Sequence, residues 1–553
     1  MQKGCRTATL ELGCTPATPP TAVSIMIDLP SNLRLKQFLA EAGRFPLGVE
    51  LVSTRGTMSQ QLTRKTREFS QDLTDSPRVD WVSITDNAGG NPQLAPIALG
   101  TPILFAGKEV VIHLTCKDLN RYALESQLWL LASQGFHNIL ALTGDYPIEC
   151  FEGCAKPVFD LDSVALLTLI AKMNAGLEVT SGSAKVPTKL DATHFFAGAV
   201  TSNFKCRENT LVPQYYKLEK KIAAGAQFII NQIGFDSRKG HELLEYLRLR
   251  QLGHTPIIGN VYVLSRFVAR LFNQMKIPGV ILTDELEALC QKQGASPDKG
   301  KRFFHEFAAK QLAIYRGLGY RAGYLGGVHS YVEIEAILDI ERSFAVDDWK
   351  LFAKEISFSR PGEFFLFEPD PNTGLSLPGT VNTDWKNSLT TKRSNKNVSL
   401  GYHLSKRFHA LMFERGKGLA PLAASICQNA KNPCQGPLWL RGIEHVAKSL
   451  WFGCRDCGDC SLGETAFLCP ESQCAKNQRN GPCGGTRDGK CEVFDYECIW
   501  ARAYDRMKYE GRSQQLLGHV PVVQNQGLRG TSSWANYWLG KDHTAKTATS
   551  PTP

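Results

Sequence analysis

Short apolar runs rich in β-branched residues alternate with longer amphipathic stretches between residues 45 and 342. Eight of the runs predict strands, at 47–52, 80–85, 109–114, 137–142, 193–200, 226–233, 256–263 and 321–328. The stretches between them predict helices, at 119–133 (with further helices at 163–175, 214–224, 239–252 and 301–316). Eight strands with intervening helices predict an α/β fold, a closed (β/α)8 barrel of the TIM type. A doubly wound open sheet also alternates strands and helices, but no G-x-G-x-x-G follows the first strand.

Polar or ionisable residues stand where four of these strands end, namely Glu50, Asp86, Thr115 and Asp145. Taken alone, the run 138–145 predicts only a strand followed by a turn. In a TIM-type barrel, however, the C-terminal ends of the strands meet at one face, and active sites lie there. The four residues together therefore predict a site at that face.

Composition divides the rest of the chain. Residues 31–345 are assigned to the barrel, and residues 346–400, which proline, glycine and asparagine interrupt, are predicted as a linker. A smaller cysteine-rich, metal-binding domain is predicted at 401–515. Residues 1–30 are predicted as a disordered extension and residues 516–553 as a largely disordered tail.

The cysteines are concentrated in one region, since ten of the 17 fall between Cys427 and Cys498. Eight of them are candidate metal ligands: Cys454, Cys457, Cys460, Cys469, Cys474, Cys483, Cys491 and Cys498. Disulfides are one explanation, but nothing in the sequence indicates export and an enzyme-like domain precedes the module, which favours metal ligation. The C-x2-C-x2-C triplet with a remote fourth cysteine favours a [4Fe-4S] cluster, although thiolates also bind zinc. Both metals stay open from the sequence.

Charge and hydropathy exclude two classes of partner. The 63 basic and 53 acidic residues give a formal charge of +10, which is too dilute over 553 residues for a nucleic-acid-binding surface. No apolar run approaches the roughly 20 residues that a membrane-spanning helix needs. The sequence predicts a cytoplasmic protein that binds neither nucleic acid nor membrane.

Several motifs of the predicted barrel match one known family: Gly48–Glu50, Trp81–Thr85, His113–Cys116, Asn138–Asp145, Lys220–Lys221 and Asn231–Asp236. In combination they resemble the methylenetetrahydrofolate reductase family over about the first 345 residues. Residues 400–515 are similar to a cysteine-rich domain fused to, or encoded beside, some bacterial reductases of this family. The chain departs from the family's common residues at Asp86, Thr143 and Ile233–Gly234.

The resemblance implies a flavin enzyme that uses FAD to reduce 5,10-methylenetetrahydrofolate to 5-methyltetrahydrofolate. Glu50 would be the general acid that protonates the folate, a role that needs a carboxyl kept protonated by burial. Asp145 would lie near the flavin and the bound pterin as a catalytic and binding residue, and Gln232 would hydrogen-bond the folate.

The same resemblance implies that Thr85, His113, Thr115, Asp145 and Lys221 hold the flavin, with Lys221 on its phosphate. From the residues alone, His113 could equally be a hydrogen-bonded core histidine and Lys221 a solvated helix residue.

The implied electron donor is NAD(P)H or ferredoxin, and the implied partners are tetrahydrofolate derivatives, an electron-donor protein and further copies of the chain. Two alternatives stay open. The same site could run oxidatively on 5-methyltetrahydrofolate in one-carbon demethylation, or the chain could be a non-catalytic folate-binding or scaffolding subunit with a metal module.

Overall fold

The computed structural model describes residues 34–180, 187–389, 395–414, 418–429, 437–518 and 521–547. The predicted extension at 1–30 lies outside these ranges. Within the described ranges, no helix is both long enough and apolar enough to cross a membrane.

Eight parallel strands form a closed barrel, which confirms the predicted fold class. They are β1 (Leu47–Leu51), β2 (Trp81–Ile84), β3 (Glu109–Thr115), β4 (Asn138–Leu142), β5 (Phe196–Thr201), β6 (Phe228–Asn231), β7 (Ile257–Tyr262) and β8 (Ala322–Gly326). Neighbours in sequence are neighbours in the barrel, and β8 closes it against β1 with Gly48 opposite Tyr324. All eight predicted strands are confirmed, with bounds that shift by a few residues at most.

Nineteen α-helices are described. They are α1 (Arg34–Ala40), α2 (Arg64–Asp75), α3 (Pro96–Phe105), α4 (Arg121–Ser133), α5 (Ser163–Asn174), α6 (Glu208–Ala223), α7 (Ser237–Leu249), α8 (Arg266–Asn273), α9 (Asp284–Gln293), α10 (Lys301–Leu318), α11 (Tyr331–Arg342), α12 (Trp349–Glu355), α13 (Thr383–Ser388), α14 (Leu400–Phe413), α15 (Ala420–Gln428), α16 (Leu438–Phe452), α17 (Pro470–Gln473), α18 (Ile499–Tyr509) and α19 (Ser533–Trp538). Three short hairpins pair Glu149–Cys150 with Gly153–Cys154, Glu178–Val179 with Thr188–Lys189, and Phe367–Pro369 with Ser376–Val381.

Helix α6 begins at Glu208, earlier than the predicted start at 214. The predicted helix begins just after Pro213, yet this proline lies inside the observed helix. A proline there removes one backbone hydrogen bond. The burial of Leu211 and Tyr215 on the same helix outweighs that loss.

Two apolar layers hold the barrel together. One lies between the strands and the surrounding helices, and the other fills the barrel interior with large side chains such as Trp81, Phe228 and Tyr324. Gly48 makes room for this interior, since a Cβ at that position would lie 2.0 Å from the Trp81 ring. Helix α1 belongs to the interior layer through Leu35, which is fully buried. The interior is therefore packed, and the polar residues at the C-terminal strand ends lie above it.

The segment predicted as a linker, 346–400, packs against the barrel. The backbone N–H of Leu366 donates to Glu242 on α7, and the guanidinium of Arg238 donates to the carbonyl of Phe367. Helix α12 contacts α10 and α7. These contacts hold residues 349–367 against α7 and α10.

Part of the segment predicted as a tail is ordered. Helix α19 lies within it, and Ala535 is buried against Cys427 and Leu440. The apolar side chains of this helix provide the burial that a disordered tail would lack. Residues 548–553 lie outside the described ranges.

Candidate functional site

Glu50 lies at the C-terminal end of β1, at the mouth of the barrel, where its carboxyl is largely enclosed. A Cβ at Gly326 would lie 2.9 Å from Glu50 Oε2, so β8 packs directly against this side chain. Burial raises the pKa of Glu50 to about 7, and the nearby hydroxyl of Tyr324 only partly opposes the shift. A carboxyl with this pKa can carry a proton near neutral pH and release it.

His113 lies on β3 in the same mouth. Its Nε2 is 2.8 Å from the hydroxyl of Ser83 on β2, and burial lowers its pKa to about 4. The imidazole is therefore neutral at physiological pH and acts as a hydrogen-bonding group.

Asp86 and Thr115 pair with each other. Asp86 Oδ2 accepts hydrogen bonds from the Thr115 hydroxyl at 2.6 Å and from its backbone N–H at 3.1 Å. Burial raises the pKa of Asp86, and these hydrogen bonds oppose the shift. The neighbouring Thr85 hydroxyl is buried and has no hydrogen-bond partner within the described ranges, and the same holds for the hydroxyl of Thr201 at the end of β5. The end of β2 thus has an unsatisfied hydroxyl at Thr85, whereas the alternation along β5 turns Thr201 toward the surrounding helices.

Asp145 follows β4, where its Oδ2 accepts from the backbone N–H of Gly89 at 3.0 Å. Two strands further round the barrel, Gln232 follows β6, and its Oε1 accepts from the N–H of Ile233 at 2.9 Å. Lys221, on α6, is buried and donates to the carbonyl of Val200. Burial, assisted by Lys217, lowers the pKa of Lys221 to about 7.

The cysteine-rich module covers this side of the mouth. Gln478 Oε1 accepts from the ammonium of Lys217 at 2.8 Å and from the hydroxyl of Thr143 at 3.3 Å. Asn480 donates through its backbone and its side chain to Asp162, each at 3.1 Å. Asp162 also caps α5, where its carboxylate accepts from the backbone N–H groups of Val164 and Ala165.

Lys476 brings a buried cation to the end of β4. Its ammonium donates to the carbonyl of Gly144 at 2.8 Å and pairs with Glu492 at 2.5 Å. Burial alone would lower the pKa of Lys476, but Cys483, Glu492 and Asp145 raise it overall. The module therefore places a charged group beside Asp145. Lys476 and Gln478 were not predicted as site residues. Each lies more than 300 positions after the end of β4 in the chain, and no local sequence pattern indicates that they reach it.

The eight candidate cysteine ligands fall into two sets of four. The first set lines one small cavity of about 20 Å³ and consists of Cys454, Cys457, Cys460 and Cys469. The second set consists of Cys474, Cys483, Cys491 and Cys498, whose thiols are close enough to raise one another's pKa. No disulfide joins any cysteine in the part of the chain that the structure describes.

Backbone amides surround the sulfurs of both sets. Backbone N–H groups donate to Cys454 Sγ at 3.4 Å and to the Sγ atoms of Cys474, Cys483 and Cys491 at 3.5 Å each. Burial raises the pKa of Cys457 to about 11 and that of Cys474 to about 12. Without a bound cation such thiols stay protonated at neutral pH, so the site needs metal charge to become anionic.

The sulfurs are not gathered as tightly as in a mononuclear site. Among the described residues, the one group of three His, Cys, Asp or Glu ligand atoms within 4.8 Å of one another is Asp459, Asp542 and His543. In this group His543 Nδ1 is 2.6 Å from Asp459 Oδ1 and its Nε2 is 3.1 Å from Glu464. Both ring nitrogens are thus occupied, and the group is an ion-pair cluster that holds the segment after 521 to the module.

The second cysteine set adjoins the barrel mouth. A Cβ on Gly484 would lie 2.5 Å from the hydroxyl of Ser202, which follows β5, and Gly484 has a φ of +94° that favours glycine. The ammonium of Lys205 donates to the carbonyl of Thr486 at 2.8 Å. The loop around Cys483 therefore touches the same strand ends that form the candidate site.

Two family models match the chain. Residues 37–314 match the model described as methylenetetrahydrofolate reductase, and residues 438–526 match that described as methylene-tetrahydrofolate reductase C terminal. Over 224 residues the chain is 26% identical to methylenetetrahydrofolate reductase (NADH) 1 of Arabidopsis thaliana, an alignment that covers 37% of this chain and 34% of that protein. The match thus spans about a third of the length of this curated relative.

Two solved structures align with the chain at low identity. An uncharacterized protein from Clostridium thermocellum that binds two copies of 5-methyl-5,6,7,8-tetrahydrofolic acid aligns with a TM-score of 0.40 and 14% identity, over 56% of this chain and 97% of that one. A 2,3-dimethylmalate lyase of the PEP mutase/isocitrate lyase superfamily aligns with a TM-score of 0.31 and 10% identity, over 57% and 87%. These likenesses are too weak to bear on function.

The polar contacts of Lys217 predict how firmly the module is held. We expect Lys217→Met to remove the shorter of the two hydrogen bonds to Gln478 Oε1 and to leave the carbonyl of Gly481 without its ammonium donor, so that amide hydrogen exchange in segment 476–486 becomes faster by roughly tenfold. Lys490→Met, which removes an exposed lysine of the same module, is the matched control and should leave that exchange unchanged. Equal exchange in the wild type and Lys217→Met would contradict the role given to this contact.

Proposed function

Because the chain belongs to the methylenetetrahydrofolate reductase family, we propose that it reduces 5,10-methylenetetrahydrofolate to 5-methyltetrahydrofolate with a reduced flavin as the hydride source. The observation that carries the proposal is Glu50, an enclosed carboxyl at the end of β1 with its pKa raised to about 7. Such a group can donate a proton to the folate nitrogen at physiological pH, whereas an ordinary exposed glutamate is almost wholly ionised there.

The polar groups of the mouth fit a flavin. The isoalloxazine ring carries nitrogen and oxygen atoms that could pair with the unsatisfied hydroxyl of Thr85. His113 is neutral and can hydrogen-bond without adding charge, and Thr115 lies beside it on β3. Lys221 uses one of its three N–H donors on Val200, which leaves two for a phosphate. These residues support FAD, which when bound supplies the hydride.

Asp145 and Gln232 are proposed to bind the folate. Both follow strand ends on the mouth, and each engages only backbone N–H groups in the contacts described above. A carboxylate beside the pterin would favour the cationic form of the folate that accepts hydride. Lys476 balances the charge of Asp145 and anchors the end of β4 through Gly144. We assign Lys476 a positioning role in this site.

We propose that each cysteine set binds one metal centre. Tetrahedral zinc with Zn–S bonds of about 2.3 Å brings its sulfurs to about 3.8 Å from one another. The described cysteine sulfurs do not form such a group within 4.8 Å. This wider spacing favours a [4Fe-4S] cluster, in which each thiolate binds a different iron, over a mononuclear zinc site. Clusters in these sets would suit electron delivery to the mouth from a donor protein such as ferredoxin.

The oxidative direction uses the same residues, with Glu50 accepting the proton instead of donating it. Direction follows from the potential of the donor and not from the geometry. A non-catalytic scaffolding role is the weaker alternative, because it gives no reason to keep a carboxyl buried at a free-energy cost at the end of β1.

Glu50→Gln tests the assigned acid. We expect kcat to fall by about 10²–10⁴-fold with flavin binding retained, because the amide keeps the shape of the side chain and has no proton to donate. In the wild type, kcat/KM for the reduction should fall about tenfold per pH unit above the Glu50 pKa of about 7, since only the protonated carboxyl is active.

Anaerobic turnover of reduced enzyme with 5,10-methylenetetrahydrofolate measures both effects. Glu149→Gln, at an exposed glutamate of the loop after β4, is the control and should retain wild-type activity. Full activity of Glu50→Gln would exclude Glu50 as the acid.

Cys483→Ser tests the division of the cysteines into two sets. We expect it to remove the metal of the second set alone, so that total bound metal falls by about half, because Cys483 belongs to one set. Elemental analysis for iron and zinc on the purified full chain measures this. Cys290→Ser, at a buried cysteine of α9 in the barrel, is the control and should not change metal content. Complete loss of metal from a still folded Cys483→Ser protein would contradict two separate sets.

A further inference from the structure

The four cysteines of the second set enclose one loop of the module. Cys474 and Cys498 lie at its two ends, and Cys483 and Cys491 lie within it. No helix or strand lies in residues 474–498, all of which are described, and backbone pairing there is limited to isolated bridges. We call residues 474–498 the cysteine loop. Since regular hydrogen bonds contribute little to it, a cation bound by all four cysteines would be its main cross-link.

The cysteine loop also reaches the barrel mouth. Six of its residues contact the barrel at or beside the mouth, namely Lys476, Gln478, Asn480, Gly481, Gly484 and Thr486. All six lie between the first and the third cysteine of the second set along the chain. The segment that covers the mouth is therefore the segment that this set would cross-link.

Gln478 connects a candidate metal ligand directly to the end of β4. Its backbone N–H donates to Cys474 Sγ at 3.5 Å. Its side-chain Oε1 accepts from the ammonium of Lys217 at 2.8 Å and from the hydroxyl of Thr143 at 3.3 Å. Because one residue makes all these contacts, a displacement of Cys474 would also displace the groups that Gln478 holds at the mouth.

Glu492 makes a second connection, which leads to Asp145. Cys483 Sγ lies 3.6 Å from Glu492 Oε1, and the same carboxylate pairs with the ammonium of Lys476 at 2.5 Å. The Glu492 side chain is only 4% exposed, and its Oε2 has no hydrogen-bond partner within the described ranges. A carboxylate buried in this way depends on its cation. Lys476 in turn donates to the carbonyl of Gly144, next to Asp145, so Glu492 holds Lys476 between the cysteines and the mouth.

Gly484 makes a third connection, which leads to Gln232. A Cβ at Gly279, in the loop after β7, would lie 3.2 Å from the carbonyl oxygen of Gly484 and 3.1 Å from Gln232 Nε2. The backbone of Gly279 therefore lies tightly between the cysteine loop and the Gln232 side chain. Both residues that are proposed to bind folate, Asp145 and Gln232, thus adjoin groups that the cysteine loop holds in place.

We propose that metal binding at the second cysteine set and folate binding at the mouth are linked, so that each strengthens the other. A cation on the four cysteines fixes the cysteine loop with Lys476 beside Asp145 and Gly484 against Gly279. Without the cation these contacts weaken, and the folate site loses one wall. Coupling between two sites is reciprocal and is typically about 5–150-fold in affinity. The inference rests on the folate site proposed above, but it applies to zinc and to an iron–sulfur cluster alike.

Calorimetric titration of the full chain with 5-methyltetrahydrofolate tests the effect of metal on folate. The titration is anaerobic and uses reduced flavin, so that the folate binds without turnover. We expect Cys483→Ser, without the metal of the second set, to bind folate at least roughly tenfold more weakly than the wild type. Cys457→Ser, which lacks a ligand of the first set, is the matched control and should keep the wild-type Kd. Circular dichroism checks that both variants are folded.

Metal release from the wild-type chain to a chromophoric chelator of iron or zinc tests the reciprocal effect without any substitution. We expect saturating 5-methyltetrahydrofolate to slow the release of about half of the bound metal by at least roughly fivefold, because folate stabilises only the metal-loaded second set. The other half, in the first set, should be released at the same rate with and without folate.

Glu492→Gln separates the connection from the metal itself. This variant keeps every cysteine, so it should keep the wild-type metal content, yet it should lose the protection by folate and bind folate roughly tenfold more weakly. Asp495→Asn is the matched control, since Asp495 lies in the same loop with its side chain 92% exposed and should behave as the wild type.

The outcomes separate the linkage from the folate site on which it rests. Equal folate affinity in the wild type and in a folded Cys483→Ser protein that lacks the second metal would overturn the linkage. Folate that binds the wild type but protects none of its metal would do the same. A metal-loaded wild type that binds no folate would instead overturn the proposed folate site, and the linkage with it.

Discussion

The buried ammonium of Lys217 is the constraint on which the architecture depends. This lysine of α6 is almost fully buried. Its ammonium donates to Gln478 Oε1 and to the carbonyl of Gly481, both in the cysteine-rich module, and it lies 3.9 Å from the carboxylate of Asp162 in the barrel. A charge buried without partners would cost several kcal/mol. Lys217 therefore makes its hydrogen bonds only when the module covers the barrel mouth. The barrel and the module thus form one site.

This arrangement gives the two cysteine sets different surroundings. The second set adjoins the strand ends, where Lys205, Lys217 and Lys476 bring positive charge to its thiols. The first set lines a separate small cavity beside Lys448. In the proposed reduction, electrons would reach the mouth through the second set, which adjoins it.

Local sequence patterns predicted much of the fold and some residues of the candidate site. The eight strands were predictable because buried parallel strands are short and apolar between amphipathic helices. Glu50 and Asp145 could be chosen as candidates because active sites of such barrels lie at the C-terminal strand ends. The grouping of the cysteines into two sets of four was not predictable, because spacing along the chain does not show which thiols lie together in the folded protein. Local periodicity also does not predict contacts between residues distant in sequence. The positions of Lys476 and Gln478 at the barrel, and the folded segment after 521, depend on such contacts.

We propose that the mouth bounded by Glu50, Asp145 and the module performs redox chemistry on a folate. The visible spectrum of the anaerobic, flavin-reconstituted full chain, recorded during titration with 5-methyltetrahydrofolate, tests it most directly. We expect the absorption band of the oxidised flavin to bleach as 5-methyltetrahydrofolate is added, because the folate half-reaction is reversible. A bound flavin whose spectrum stays unchanged, or a chain that binds no flavin, would contradict the claim.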